Sequence, residues 1–391
     1  MSYDLAVYTS RKASPEQFSE LIAQGAGLAI DAARSRGGAL TVTRGARRRY
    51  SFTVDGPDTL ELEDIPSEVA TVLLGARYLY TVVVEGTTES EVPHAVRFAR
   101  RLAMATDGAV FDQQGDGVWT RSQSRKVPRP TREERVTTVD VAWYCLRDEL
   151  APDAAARFIS AAQDVLPEAL PRRFGEYEPL QGKLAEAGPD GFISAWRDAT
   201  SLLFTAGSGP CIGGHLTAGP SAAHRDEFWS MSLQFLGDPM REPAWREALR
   251  ALFTRLADDL PAFYASAELT AGHIWSGRSL WSDMDTESRI SPLRYREGWT
   301  GLPPRPTWWA WLGQPFTEYH GCLPVEQTMS TERGILYTAS DEPLGPAGLV
   351  PLSSWLPQDL FSTLGPNPRK QQPVPLVPAT TVPARLRSAQ V

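Results

Sequence analysis

Cys211 and His215 close a glycine-rich run, Gly207-Ser208-Gly209-Pro210-Cys211-Ile212-Gly213-Gly214-His215, and a thiol beside an imidazole is the pairing that makes a cysteine nucleophilic. His224 offers the same thiol a second imidazole. Cys322 with His320 is a weaker pair, because closeness in sequence says little about contact. The run lacks the Gly-Lys-Ser/Thr that opens a helix in a phosphate-cradling loop. Glu176 and Glu178 stand two apart in Leu170-Pro171-Arg172-Arg173-Phe174-Gly175-Glu176-Tyr177-Glu178-Pro179. On an extended chain they share a side, as an acid and base pair would, although Arg172 and Arg173 are placed to neutralise them.

Metal chemistry has little to work with. The 5 histidines, at positions 94, 215, 224, 273 and 320, show no H-x-x-x-H spacing, and the 3 cysteines no C-x-x-C. His215, His224 and Asp226 converge only if their loop folds back. Asp283, Asp285 and Glu287 alternate like calcium ligands but lack the glycine and distal glutamate of an EF-hand. The expectation is no metal and no cofactor. Arg44, Arg47, Arg48 and Arg49 crowd a hairpin turn where guanidinium groups suit phosphate. No aromatic platform interleaves with them, so they read as an exposed hairpin tip.

Of the 12 tryptophans, only Trp119 precedes residue 143, and six fall between Trp275 and Trp311. The stretch Gly298-Trp299-Thr300-Gly301-Leu302-Pro303-Pro304-Arg305-Pro306-Thr307-Trp308-Trp309-Ala310-Trp311 is too rich in glycine and proline for a plain helix or strand. Three indoles in four positions are expected not to share one core, which sends at least one to a surface as a rigid contact. The alternative is that they plug the gap between sheet and loop. The expected binding face is Trp299, Arg305, Trp308, Trp309, Trp311 and Tyr319.

The elements that must position these residues read as β-α-β-β-α-β, twice. Tyr3–Tyr8 alternates as a strand, and Ser14-Pro15-Glu16-Gln17 is a capping box with proline at the first helical position. Ala39–Thr43, Arg49–Val54 and Tyr78–Glu85 read as strands, Pro93–Ala105 as a helix, and Ala109–Asp112 and Val118–Thr120 as closing strands. Residues 121–135, polar and basic with proline, read as a linker. Beyond it come strand Val136–Leu146, helix Ala154–Leu166, strands Leu202–Thr205 and Glu227–Leu236, helix Pro243–Leu260 and strand Phe263–Thr270. The fold class is therefore α+β: two successive ferredoxin-like sandwich domains, 1–120 and 136–360, with a disordered proline-rich tail at 361–391.

The pattern Leu302-Pro303, Trp308-Trp309-Ala310-Trp311-Leu312-Gly313 and Tyr319 resembles some immunity proteins, the cytoplasmic partners that neutralise toxins of bacterial polymorphic and contact-dependent secretion systems. The resemblance spans about residues 136–345. It implies an intracellular inhibitor that binds a toxin domain and carries no chemistry of its own.

Charge bears on the same question. Residues 1–135 hold 18 basic and 18 acidic residues, so the whole net charge of −8 lies beyond them. An acidic domain repels nucleic-acid phosphates and suits a basic protein partner. No apolar run reaches bilayer length and no signal peptide is visible, so a cytoplasmic location with reduced thiols and no membrane partner is expected. Three functional classes follow. The chain is a binding protein of immunity type, a hydrolase-type enzyme using Cys211, His215, Glu176 or Glu178 in a second-domain cleft, or a scaffold whose first domain dimerises through a sheet edge.

Overall fold

The computed structural model describes residues 3–361, apart from 34, 36–38, 86–88, 113–116, 122–123, 127–133, 179, 208, 218, 221–227, 276–279, 288–293, 296–297, 300, 315 and 353–354. The expected tail beyond 361 thus lies outside the described residues. The chain forms two compact units, Met1–Thr131 and Arg132–Val391. Each is α+β, and their named strands pair antiparallel.

The first unit runs β1 (Tyr3–Thr9), α1 (Pro15–Ala23), β2 (Leu28–Ile30), β3 (Leu40–Arg44), β4 (Arg49–Thr59), the short α2 (Ser67–Ala70), β5 (Tyr78–Val84), α3 (Val92–Ala105), β6 (Gly108–Asp112), β7 (Gly117–Thr120) and β8 (Ser124–Lys126). Its eight-stranded sheet is ordered β2-β3-β4-β5-β1-β6-β7-β8. β8 falls inside the expected linker, and the next strand begins at Glu134, so both ends of that segment belong to sheets.

α1 starts where its capping box directs. Gln17 N–H donates to Ser14 Oγ, Ser14 N–H donates to Gln17 Oε1, and Phe18, Leu21 and Ile22 are buried. With Phe98, Ala99 and Leu102 of α3 they cover the sheet face carrying Leu5, Val7, Phe52, Val82 and Val110. The alternate residues Ala6, Tyr8, Ala109 and Val118 meet Leu60, Ile65 and Val69 on the other face.

The second unit runs β9 (Glu134–Leu146), α4 (Ala154–Val165), β10 (Pro171–Gly175), β11 (Gly182–Lys183), α5 (Leu184–Asp198), β12 (Ser201–Ala206), β13 (Cys211–Thr217), β14 (Phe228–Leu236), α6 (Pro243–Asp259) and β15 (Ala262–Trp275). It continues with β16 (Leu280–Trp281), β17 (Arg294–Tyr295), β18 (Gly298–Trp299), β19 (Trp309–Gly313), β20 (Thr328–Ser330), β21 (Gly334–Thr338) and α7 (Pro346–Leu349). The main sheet order is β11-β10-β12-β13-β14-β9-β15-β19-β21-β20. Val139, Val141, Trp143 and Cys145 of β9 face α4, α5 and α6. Toward one end of the opposite face, Leu146, Tyr264, Ala310, Leu312 and Tyr337 lie under Leu302, Phe316, Leu323, Leu349 and Trp355.

This two-sided cover corrects the expectation that the clustered indoles reach a surface. Trp308, Trp309 and Trp311 are all buried. Trp309 and Trp311 are two apart on a strand and so share the helix-covered face, while Trp308, just ahead of the strand, stacks on Trp309 with ring centroids 4.0 Å apart. Gly313 lets this strand close up: a Cβ there would stand 1.9 Å from the Ala262 carbonyl oxygen, the same oxygen that accepts from Trp311 Nε1.

In the first unit, the Arg44 guanidinium at the end of β3 forks onto Glu91, ahead of α3, at 2.8 and 2.6 Å, and the Ser51 hydroxyl donates to the same carboxylate at 2.7 Å. The Arg44 hydrogen bonds, above all, push the Glu91 carboxyl down from 4.5 to about 2. A lowered folded-state value means that this contribution is complete above about pH 4.5 and disappears as pH falls through about 2. Glu91→Gln is expected to destabilise the first unit at pH 7 by about 1–2 kcal/mol, discounted because Arg44 is partly exposed. Amide exchange in β3, β4 and β5 should show the gap between variant and wild type closing toward pH 2; a gap independent of pH would reject this account.

Candidate functional site

The glycine-rich run is a strand, not a loop, from Cys211 onward. β13 pairs with β12 and β14, and the missing Cβ atoms make room: one on Gly213 would stand 2.3 Å from Phe204 O, and one on Gly214 2.5 Å from Phe204 Cζ. Cys211 and His215 are four apart, which in a regular strand would put them on one face, but a bulge between Cys211 and Gly213 in the pairing with β14 turns the proposed nucleophile away from its base. Cys211 belongs to the core beneath the helices. His215 points to the other face, where its Nε2 lies 2.7 Å from Ser201 Oγ. Burial pushes the Cys211 thiol up to about 12, so the pairing expected to activate it is absent on both counts. His224 and Asp226 lie outside the described residues.

The other candidates have structural duties or stand in solvent. Glu176 Oε2 accepts from both Thr200 N–H and Thr200 Oγ at 3.1 Å, tying β10 to the end of α5, while Glu178 is exposed. Arg173 is buried and donates to Leu180 O. Cys322 and His320 are both exposed on one 3-10 turn. Asp283 and Asp285 hold the Arg135 guanidinium at 2.7 and 3.4 Å, and Glu287 accepts from Ala271 N–H. Among the described residues, no group of three His, Cys, Asp or Glu is arranged to hold a metal, and no helix is long and apolar enough to cross a membrane. Of the expected binding face, Tyr319 packs against the cluster around Trp355, Arg305 is half-buried, and the Trp299 side chain lies outside the described residues.

What tertiary structure assembles instead is a polar floor on the face of the second sheet turned away from the helices. One rung reads Gly213, Gln234, Asp140, Glu268; the next reads His215, Ser232, Ala142, Ser266, Ala310. Asp140 and Glu268 are direct cross-strand neighbours, and both are buried. Asp140 Oδ2 accepts from Thr138 Oγ at 3.2 Å and Thr270 Oγ at 3.0 Å, and Oδ1 accepts from Gln234 Nε2 at 3.0 Å. The network extends to His273, whose Nε2 lies 3.1 Å from Thr270 Oγ and whose Nδ1 lies 3.3 Å from Ser282 Oγ.

Asp140 and Glu268 are 128 positions apart, so no motif joins them. The available signal was a carboxylate inside each of two long strands, Asp140 in β9 and Glu268 in β15, with Asp140 on the phase opposite to Val139, Val141 and Trp143. A separate cavity of about 520 Å³ is lined by Thr137, Asp238, Arg241, Leu269, Glu287 and Glu342 among others. None of Cys211, His215, Glu176 or Glu178 lines it.

No protein-family model matches the chain, and no curated protein matches it in sequence. Among solved structures, the Pseudomonas aeruginosa T6SS protein PA0821 aligns over 58% of this chain and 77% of its own, at 13% identity and a TM-score of 0.40. A putative glycine cleavage system transcriptional repressor aligns over 69% of this chain and 98% of its own, at 11% identity and a TM-score of 0.17. At those scores neither likeness carries an argument, and the functional case rests on the chain's own residues.

Two measurements check the site. In the native chain a thiol reagent is expected to label Cys322 rapidly, with Cys145 and Cys211 reacting only after denaturation, since both are buried; fast labelling of Cys211 would restore it as a nucleophile. Asp140→Ala, which strands three donors, should cost about 2–4 kcal/mol in urea unfolding, and Asp140→Asn, which keeps an acceptor, clearly less. Equal losses would mean that the network does not hold the floor together.

Proposed function

We propose that this chain is a non-catalytic protein-binding protein, most concretely an immunity-type protein that neutralises a bacterial toxin domain in the cytoplasm. The observation that carries the reading is the separation of Cys211 and His215 onto opposite faces of one sheet, with Glu176 engaged by Thr200. Proton transfer needs groups within about 3 Å, and the bulge at Cys211 leaves the thiol and the imidazole on opposite sides of the sheet. The net charge of −8 beyond residue 135 supports a basic partner, because opposite charge speeds encounter and selects against wrong partners.

Burial of Trp308, Trp309 and Trp311 moves the proposed contact from indole rings to the acidic surface of the second unit. Exposed carboxylates there include Asp238, Glu318, Glu326, Glu332 and Asp341. In this reading both units are diverged copies of one ferredoxin-like plan. Support comes from matching strand orders around the first strand of each: β4-β5-β1-β6, connected through α1 and α3, and β13-β14-β9-β15, connected through α4 and α6.

The test is a complex and a rescue. Tandem-affinity purification from the native cell should give one stoichiometric basic partner, whose expression alone arrests growth and whose co-expression with this chain does not. Repeated recovery of the chain alone, or a partner whose toxicity this chain leaves untouched, would reject the reading.

A further inference from the structure

The helix layer of the first unit is sorted by charge. α3 carries Arg97, Arg100, Arg101 and His94 and no carboxylate, whereas α1 carries Glu16 and Glu20 and no cation. Ala95, Phe98, Ala99, Leu102 and Ala103 bury the inner side of α3, which leaves Arg97 and Arg100 exposed. The Arg44–Glu91 fork anchors the base of the β3–β4 hairpin beside the start of α3, and the exposed tip of that hairpin is Arg47, Arg48 and Arg49.

These arginines have no carboxylate to hold. Among the described residues, none of Arg47, Arg48, Arg49, Arg97, Arg100 and Arg101 forms an ion pair with a carboxylate. Arg97 Nη2 instead donates to His94 Nδ1 at 3.1 Å, and Arg100 sits over the Trp119 ring, 5.3 Å from its centroid. Arg101 Nε donates to Leu21 O, while its Nη2, shut away from solvent, finds no partner. Burial, followed by the charges of Arg44 and Arg97, holds the His94 imidazole below its usual value against the opposing pull of Glu91.

We propose that the outer face of α3, together with the Arg47–Arg48–Arg49 hairpin tip, is a docking surface for an acidic segment of a protein partner. It lies on the first unit and goes beyond the reading given above for the second. Arg97 and Arg100, three apart on the helix and both exposed, are neighbours about 5–6 Å apart at their Cβ atoms, a spacing that carboxylates at i and i+3 or i+4 of an acidic helix reproduce. Each guanidinium fork takes a carboxylate in bidentate fashion. Two features favour carboxylates of a protein over the phosphates of a nucleic acid. Residues 1–135 balance 18 basic against 18 acidic residues, so the first unit offers a long polyanion no extended positive field, whereas a short acidic segment needs only the local ridge. The indole beside these arginines, Trp119, is covered by Arg100 and offers no open ring for base stacking.

The test uses the full chain and a fluorescein-labelled oligoglutamate peptide, read by fluorescence anisotropy at low salt. Wild type is expected to bind, with affinity falling as salt rises. Arg97→Gln with Arg100→Gln should weaken binding about tenfold or more, as should Arg47→Gln with Arg49→Gln, at exposed positions that leave the core untouched. Arg250→Gln, on the second unit, should bind as wild type does. Absence of binding, or equal binding by wild type and both ridge variants, overturns the proposal. So does tighter binding of duplex DNA than of the peptide, which would make this a phosphate surface. Salt-sensitive dimerisation abolished by Glu16→Gln with Glu20→Gln overturns it too, since α1 of a second copy would then be the occupant.

Discussion

The structure depends on burying a broad sheet from both sides in the second unit. β9 and β15 pair along most of their length, and a strand covered on two faces has no solvated phase on which to put large side chains. The unit answers with indoles whose N–H groups close on backbone carbonyls. Trp143 donates to Phe253 O, Trp311 to Ala262 O, Trp308 to Ser340 O and Trp355 to Pro303 O, while Trp196 and Trp229 share Thr217 O. Each such bond joins two elements and satisfies a donor that would be costly to bury alone. These six indoles thus act as bolts between strands, helices and the C-terminal cover, whereas the buried Trp309 Nε1 has no hydrogen-bond partner among the described residues.

That arrangement governs the chemistry available. A strand commits alternate residues to opposite environments, and the bulge between Cys211 and Gly213 shifts that phase, so that Cys211 and His215, four apart, end on opposite sides. The same alternation gathers Asp140, Glu268, Gln234 and Ser266 into one polar floor, because every one of them occupies the phase facing away from the helices. Polar groups survive burial there because three donors converge on Asp140. Charge that is not needed for packing is sorted by unit: carboxylates dominate the surface of the second, and unpaired arginines gather on α3 and its neighbouring hairpin in the first.

Much of the local structure was legible in the chain. The Ser14–Gln17 capping box set the start of α1, and Leu249, Leu252, Phe253 and Leu256 set the buried face of α6, since both signals are carried by residues within a turn of one another. α5 was not legible, because Gly188, at φ +67°, and Pro189 interrupt its periodicity at a kink. The outer strands β10, β11, β20 and β21 were missed because short runs carry too few alternations to register. The glycines at 213 and 214 read as a loop, although their purpose is close approach to β12.

By itself, then, the sequence determined the α+β composition, the succession along the chain of the longer helices and strands, and the segregation of negative charge beyond residue 135. Those properties are sums over residues or patterns within a few positions. Tertiary structure alone decided which groups meet. Asp140 reaches Glu268 and Thr270 across a strand register, Trp309 and Trp311 vanish under helices whose cover no local pattern announces, and Cys211 loses His215 to the far side of a sheet. Contacts of that kind depend on which strands are neighbours, and neighbour relations between distant segments are set by the packing of the whole unit.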